Sequence, residues 1–160
     1  MGTSSNYFTN RDDLFMQAAA RITVRMTPDP AKVERAMRPA PSRALVADLM
    51  RWLVQRMEDD RTGYLAMLEL RLEATRRPAL RDRLTQTVRA NVDESAQFHR
   101  AACLPGDADA FLVLYLAMTG LLLEHFTLPA VLTGPENGSR TEATVNRLVE
   151  LVVTRVIPPS

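Results

Sequence analysis

One run of the chain, residues 110–123, carries no charged side chain. As a helix it spans only ~21 Å at ~1.5 Å per residue. A bilayer core is ~30 Å thick and takes ~20 residues to cross, so the run is too short for a span. A helix that is apolar nearly all round must be covered on several sides. The rest of the chain therefore has to supply partners for it, and that demand points to a helical bundle.

The other segments meet the demand. Prolines and glycines divide the chain, and every long piece between them has helical spacing of apolar residues, with no convincing strand alternation. Residues 9–26 read as a helix opened by Thr9 and Asp12 in a capping-box-like arrangement, with Leu14, Phe15, Ala18, Ala19 and Ile22 as its stripe. Pro28 and Pro30 end it. Residues 27–41 read as a linker with a short helix at 31–37. Residues 42–60 start at an N-cap Ser42 and carry Val46, Leu49, Leu53 and Met57. Residues 62–77 place Tyr64, Leu65, Leu68 and Leu72 together, and Pro78 interrupts them. Residues 79–104 follow with Leu80, Leu84, Val88 and Val92, stopped by Pro105 and Gly106. The uncharged helix starts at Asp107 or Asp109 and reaches about residue 126. Residues 128–138 read as a loop. A last helix, 139–157, has one stripe of Val145, Leu148, Val152 and Val156 and a second of Val149 and Val153. The expectation is an all-α fold of six or so helices. The last two carry more apolar surface than one small bundle uses, so they are expected to form a dimer interface.

Composition narrows the function classes. The 160 residues suit one domain. The single cysteine, Cys103, excludes a disulfide framework within the chain, and two histidines, His99 and His125, leave little for a multi-histidine metal site. Cys103 is expected to be a buried or half-buried thiol. A net charge of +1 gives no bulk argument for nucleic acid. There is no phosphate-cradling glycine loop, no Gly-x-Ser-x-Gly elbow and no helical His-Glu-x-x-His, so no enzyme is expected and no cofactor. Glu69 and Glu73, one turn apart, could act as general acid and base, but they read more simply as salt-bridge partners of Arg71, Arg76 or Arg77. Nothing resembles a targeting signal, and the cytoplasm is the expected location, with no membrane partner.

The opening identifies a family. Gly2, Thr3, Tyr7, Phe8, Arg11, Asp13 and Leu14 resemble, at matching spacing, the end of the helix-turn-helix in TetR-family transcriptional regulators. Residues 69–81, Glu-Leu-Arg-Leu-Glu-Ala-Thr-Arg-Arg-Pro-Ala-Leu-Arg, resemble a stretch common in the ligand-binding domains of that family, and the apolar penultimate helix, loop and final helix match its layout. Ser5 stands where the family often has a second aromatic. The resemblance implies residues 1–10 as a remnant of the recognition helix and turn, 11–26 as the connecting helix, and 27–160 as the ligand-binding and dimerisation domain. A helix-turn-helix needs a first helix across the DNA backbone and a second in the major groove. Most of that unit would precede Met1, so operator DNA is expected as a partner of the complete protein only.

The resemblance also implies sites. Tyr7 and Arg11 would contact DNA phosphates, with Thr3 and Ser4 on the groove-facing part of the recognition helix. A small-molecule pocket of unknown specificity would lie among Trp52, Met57, Tyr64, Met67, Leu68, Asn91, Phe98, Phe111, Tyr115 and Met118, each of which also reads as ordinary core. The homodimer interface would use Leu116, Leu123, Val145, Leu148, Val152 and Val156. The functional expectation is a ligand-responsive transcriptional regulator, a repressor, in which ligand binding in the bundle shifts the DNA-binding heads. The alternative is a dimeric small-molecule-binding module that does not bind DNA.

Overall fold

The structure is a computed structural model that describes residues 3–133 and 141–159, with the side chains of residues 3–12 and of Thr141 outside that description. Among the described residues there are eight helices and no strand: α1 (Thr3–Met26), α2 (Pro30–Ala36), α3 (Arg43–Asp59), α4 (Arg61–Ala74), α5 (Pro78–Ala101), α6 (Ala108–Thr127), α7 (Ala130–Thr133) and α8 (Thr141–Val156). The all-α expectation holds. Two of the eight, α2 and α7, are short, which accounts for the excess over six.

Several boundaries differ from the sequence reading for local reasons. The start at Thr9 is incorrect: α1 is helical from Thr3, and no turn separates a recognition-helix remnant from a connecting helix. The segment 3–26 holds neither glycine nor proline, so nothing in it breaks a helix. Ser42 does cap α3, its Oγ accepting from the Leu45 N–H at 3.1 Å. The cap of α4 is Asp60, whose carboxylate accepts from the Gly63 N–H at 3.2 Å. Pro78 does not interrupt a helix but begins α5, where its missing N–H costs nothing. Asp107 caps α6, accepting from the Ala110 N–H at 2.8 Å. The expected loop at 128–138 contains α7, and its residues 134–138 lie outside the described residues, as do Ser139 and Arg140.

The end of α5 is set before Pro105. Cys103 has φ of 53°. Its N–H donates to Arg100 C=O at 3.0 Å and the next N–H, of Leu104, donates to His99 C=O at 3.1 Å. This pair of bonds is the Schellman motif, with cysteine where glycine usually sits and the buried Leu104 as its apolar anchor. Cys103 itself is exposed, against the expectation of a buried thiol.

The chain forms two compact units. The first comprises Met1–Pro28 and Asp59–Ser95, the second Asp29–Glu58 and Ala96–Ser160. In the first, α1 packs on α4 through Ala19, Ile22, Leu70 and Ala74, joined by Leu80 and Leu84 of α5. The helices run antiparallel: Arg25 near the end of α1 pairs with Asp60 at the start of α4, and the Arg77 guanidinium beyond the end of α4 lies 5.4 Å from the Phe15 ring centroid. Leu14 and Leu72, both assigned to core stripes from the sequence, are 62% and 69% exposed. The register that α1 imposes on α4 passes through Met67, Leu70 and Ala74 and leaves Leu72 on the outer side.

In the second unit α6 packs on α8, with α7 against both. The buried stripe of α8 is Val145, Val149 and Val153, continued by Ile157, and that of α6 includes Leu114, Met118, Leu121, Leu122 and Phe126. From α3 come Leu45, Val46, Ala47, Val54 and Met57. Leu49 and Leu53 are only half-buried, so the core face of α3 is turned from the stripe that spacing alone suggests.

Candidate functional site

The sequence-assigned ligand residues separate by unit. Met57 and Met118 are buried, and Trp52, Phe111 and Tyr115 half-buried, all in the second unit with Phe98, which is exposed. Tyr64 is buried and Met67 and Leu68 half-buried in the first. Asn91 is exposed. It lies beside the apolar stripe of α5, but only Leu80, Leu84 and Val88 of that stretch are drawn into the core around α1. Ser95 is exposed too, its hydroxyl donating to Asn91 C=O at 2.8 Å.

Among the described residues, the buried polar side chains of the second unit are its two histidines. His125 on α6 donates from Nε2 to Glu58 Oε1 of α3 at 2.8 Å. Its Nδ1 is buried without a hydrogen-bond partner among the described residues. In the neutral ring that donates from Nε2, this nitrogen is an acceptor, on a helix that also presents Met118 two turns earlier. His99, 6% exposed, donates from Nε2 to Pro105 C=O at 3.1 Å and meets Phe111 edge-on, with ring centroids 5.6 Å apart. Since a carbonyl only accepts, this bond fixes the Nε2–H tautomer. Burial pushes the His99 pKa down, and the bond to Pro105 opposes that in part. Sequence spacing had marked both rings without separating the carboxylate-paired one from the carbonyl-bonded one, because the partners lie 67 and 6 positions away.

A cleft of about 430 Å³ opens between the start of α6 and the end of α8, with Asp107, Asp109, Val113, Arg155 and Pro158 in its lining. None of the sequence-assigned ligand residues lines it. The carboxylate pair reading of Glu69 and Glu73 dissolves: Glu73 is held by Arg77, one turn on, and Glu69 is exposed. No cluster of three or more potential metal ligands occurs among the described residues.

The residues assigned to DNA, Thr3, Ser4, Tyr7 and Arg11, lie on the first turns of α1, and their side chains are outside the described residues. Those assigned to dimerisation divide. Leu116 and Leu123 are 59% and 42% exposed, Leu148, Val152 and Val156 are half-buried, and Val145 is 1% exposed in the core. Val145 faces inward because the α8 stripe that meets α6 is the Val145, Val149, Val153 one. The exposed apolar face also contains Leu112 and Val113 on α6 and Leu151 on α8, which the sequence reading did not separate from core.

Residues 41–155 match the family described as the tetracyclin repressor-like, C-terminal domain. The chain belongs to that family. Its TetR-like C-terminal domain thus includes the whole of α3, α4, α5, α6 and α7 and all but the last residue of α8. A search of curated proteins found no match to the chain. By length and composition alone α6 would reach across a membrane, since it runs for 20 residues rather than the 14-residue uncharged stretch. Its Met118, Leu121, Leu122 and Phe126 are nonetheless buried within the second unit.

Proposed function

We propose that this chain is the sensing and dimerising part of a cytoplasmic, ligand-responsive transcriptional repressor. The observation that carries the reading is the TetR-like C-terminal match over residues 41–155, joined to a helix, α1, that is packed along α4 by Ala19, Ile22, Leu70 and Ala74. A change in the position of α4 therefore carries α1 with it, and a ligand can shift such an equilibrium only by its differential affinity for the two states. Thr3, Ser4, Tyr7 and Arg11, on the far end of α1, are the residues assigned to DNA contact.

The ligand is an apolar molecule carrying at least one hydrogen-bond donor. Met57 and Met118 supply adaptable apolar surface, and the unpartnered His125 Nδ1 supplies an acceptor in a low-dielectric setting. The dimer forms through the exposed face of α6 with Leu151 and Leu148 of α8 beside it.

The test uses the protein as its gene encodes it, incubated with its own promoter fragment and a panel of apolar hydroxylated or amide-bearing compounds. Retention of the fragment, with release by one compound, supports the reading. Failure to retain it in any condition rejects the repressor and leaves a dimeric ligand-binding module that does not bind DNA.

A further inference from the structure

The exposed side of α6 has an internal symmetry that the protomer does not need. Leu112, Leu116, Leu123 and Thr127 lie on one face and stand in equal steps on either side of the peptide joining Thr119 to Gly120. All four are exposed, as is Gly120 between them. The face is distinct from the Leu114, Met118, Leu121, Leu122 and Phe126 residues, which are buried in the second unit. Between Asp109 and Glu124 it holds no charge.

Gly120 is the informative residue. A Cβ built there would meet nothing within 4 Å, so the protomer has room for any side chain. Glycine in mid-helix weakens the helix, and a glycine is used where another backbone must come close. Its φ is not in the left-handed region, so no turn requires it. An apolar face that is symmetric about its own midpoint, with a glycine at that midpoint, complements a second copy of itself run in the opposite direction.

We infer that two copies of the chain cross antiparallel on α6 with the two-fold axis at Thr119–Gly120, so that Leu116 of one protomer packs on Leu123 of the other and Gly120 lets the helices touch. This rests on the reading of the chain as a dimer and adds to it the register and the direction of the contact. Equal steps from the axis place the two Leu112 residues ~22 Å apart along the helices, at ~1.5 Å per residue, too far for a disulfide. The two residues at position 120 are adjacent.

The experiment uses single cysteines in a Cys103→Ser background, oxidised and run on a non-reducing gel, with light scattering on each reduced protein. Gly120→Cys is expected to cross-link to itself. Leu112→Cys alone is expected not to, but to cross-link when mixed with Thr127→Cys. Gly120→Leu is expected to keep its helical circular dichroism and to weaken the dimer at least tenfold. A dimer in which Leu112→Cys cross-links to itself, or in which Gly120→Cys does not, overturns the crossing while leaving the dimer reading intact. So does a Gly120→Leu protein that dimerises like its parent. A parent protein that stays monomeric at high concentration overturns both, including the case in which α6 instead carries it onto phosphatidylcholine vesicles.

Discussion

Cys103 occupies a backbone position that favours glycine. Its φ of 53° costs a side-chain-bearing residue about 1 kcal/mol or more, while a glycine there would give back roughly half of that through the freer unfolded chain. Cys103→Gly should therefore raise stability by about 0.5 kcal/mol, and Cys103→Ala, which keeps the strain, should not; urea unfolding of the two variants decides it. His99 makes a second residue-scale prediction. Its folded pKa lies below the ordinary 6.5 because burial disfavours the charged ring. Between the two values the unfolded chain binds more protons, so the contribution is fully present above 6.5 and is lost as pH falls through the folded pKa. His99→Gln keeps a donor near Pro105 and removes the titration. The stability of the parent should fall more steeply below pH 6.5 than that of the variant. Parallel pH profiles would exclude His99 as the group responsible. Gly106, with φ of 108° and only 3.2 Å from an added Cβ to both Ala110 and Ile157, fixes the same corner from the other side.

At the scale of elements, the choice of face was the hard part. Helices α3, α5 and α6 and their caps at Ser42 and Asp107 were legible because a side-chain acceptor three residues ahead of an apolar period has one use, the free N–H groups of a first turn. Which of several apolar residues turn inward depends on the partner helix. On α4, Leu70 and Leu72 are alike in sequence, but the antiparallel contact with α1 selects Leu70. Leu70→Ala should cost about 3 kcal/mol, by lost burial and the cavity left behind. Leu72→Ala, at an exposed site, should stay within about 0.5 kcal/mol. Equal losses in thermal unfolding would mean that the assigned register of α4 on α1 is wrong. The same reasoning explains Val145. Its periodicity fits a dimer stripe and a core stripe equally, and packing on α6 commits it to the core.

For the molecule as a whole, the pairing of an apolar α6 with a valine-lined α8 uses one side of α6 and leaves the other free. Scattered exposed leucines are ordinary, but Leu112, Val113, Leu116 and Leu123 are contiguous on one helix. Leu116→Arg should leave the far-ultraviolet circular dichroism unchanged and give a monomer in light scattering. It should also remove the rise of Tm with protein concentration that mass action gives a dimer. A variant that remains dimeric would move the interface off α6.

The residues by themselves determined that the chain is helical and where most helices begin. They also required one helix to be covered on more than one side. Those are properties of local periodicity, capping chemistry and hydrophobic content, and each is decided within a few turns of chain. Tertiary structure alone decided that Leu14 and Leu72 face outward and that Asn91 lies off the core. It also decided that His125 pairs with Glu58 while His99 bonds Pro105, and which of two valine stripes on α8 is spent inside. The physical reason is common to all of them. An amphipathic pattern wide enough to fit several orientations is resolved only by the partner that packs against it, and that partner lies far away in sequence.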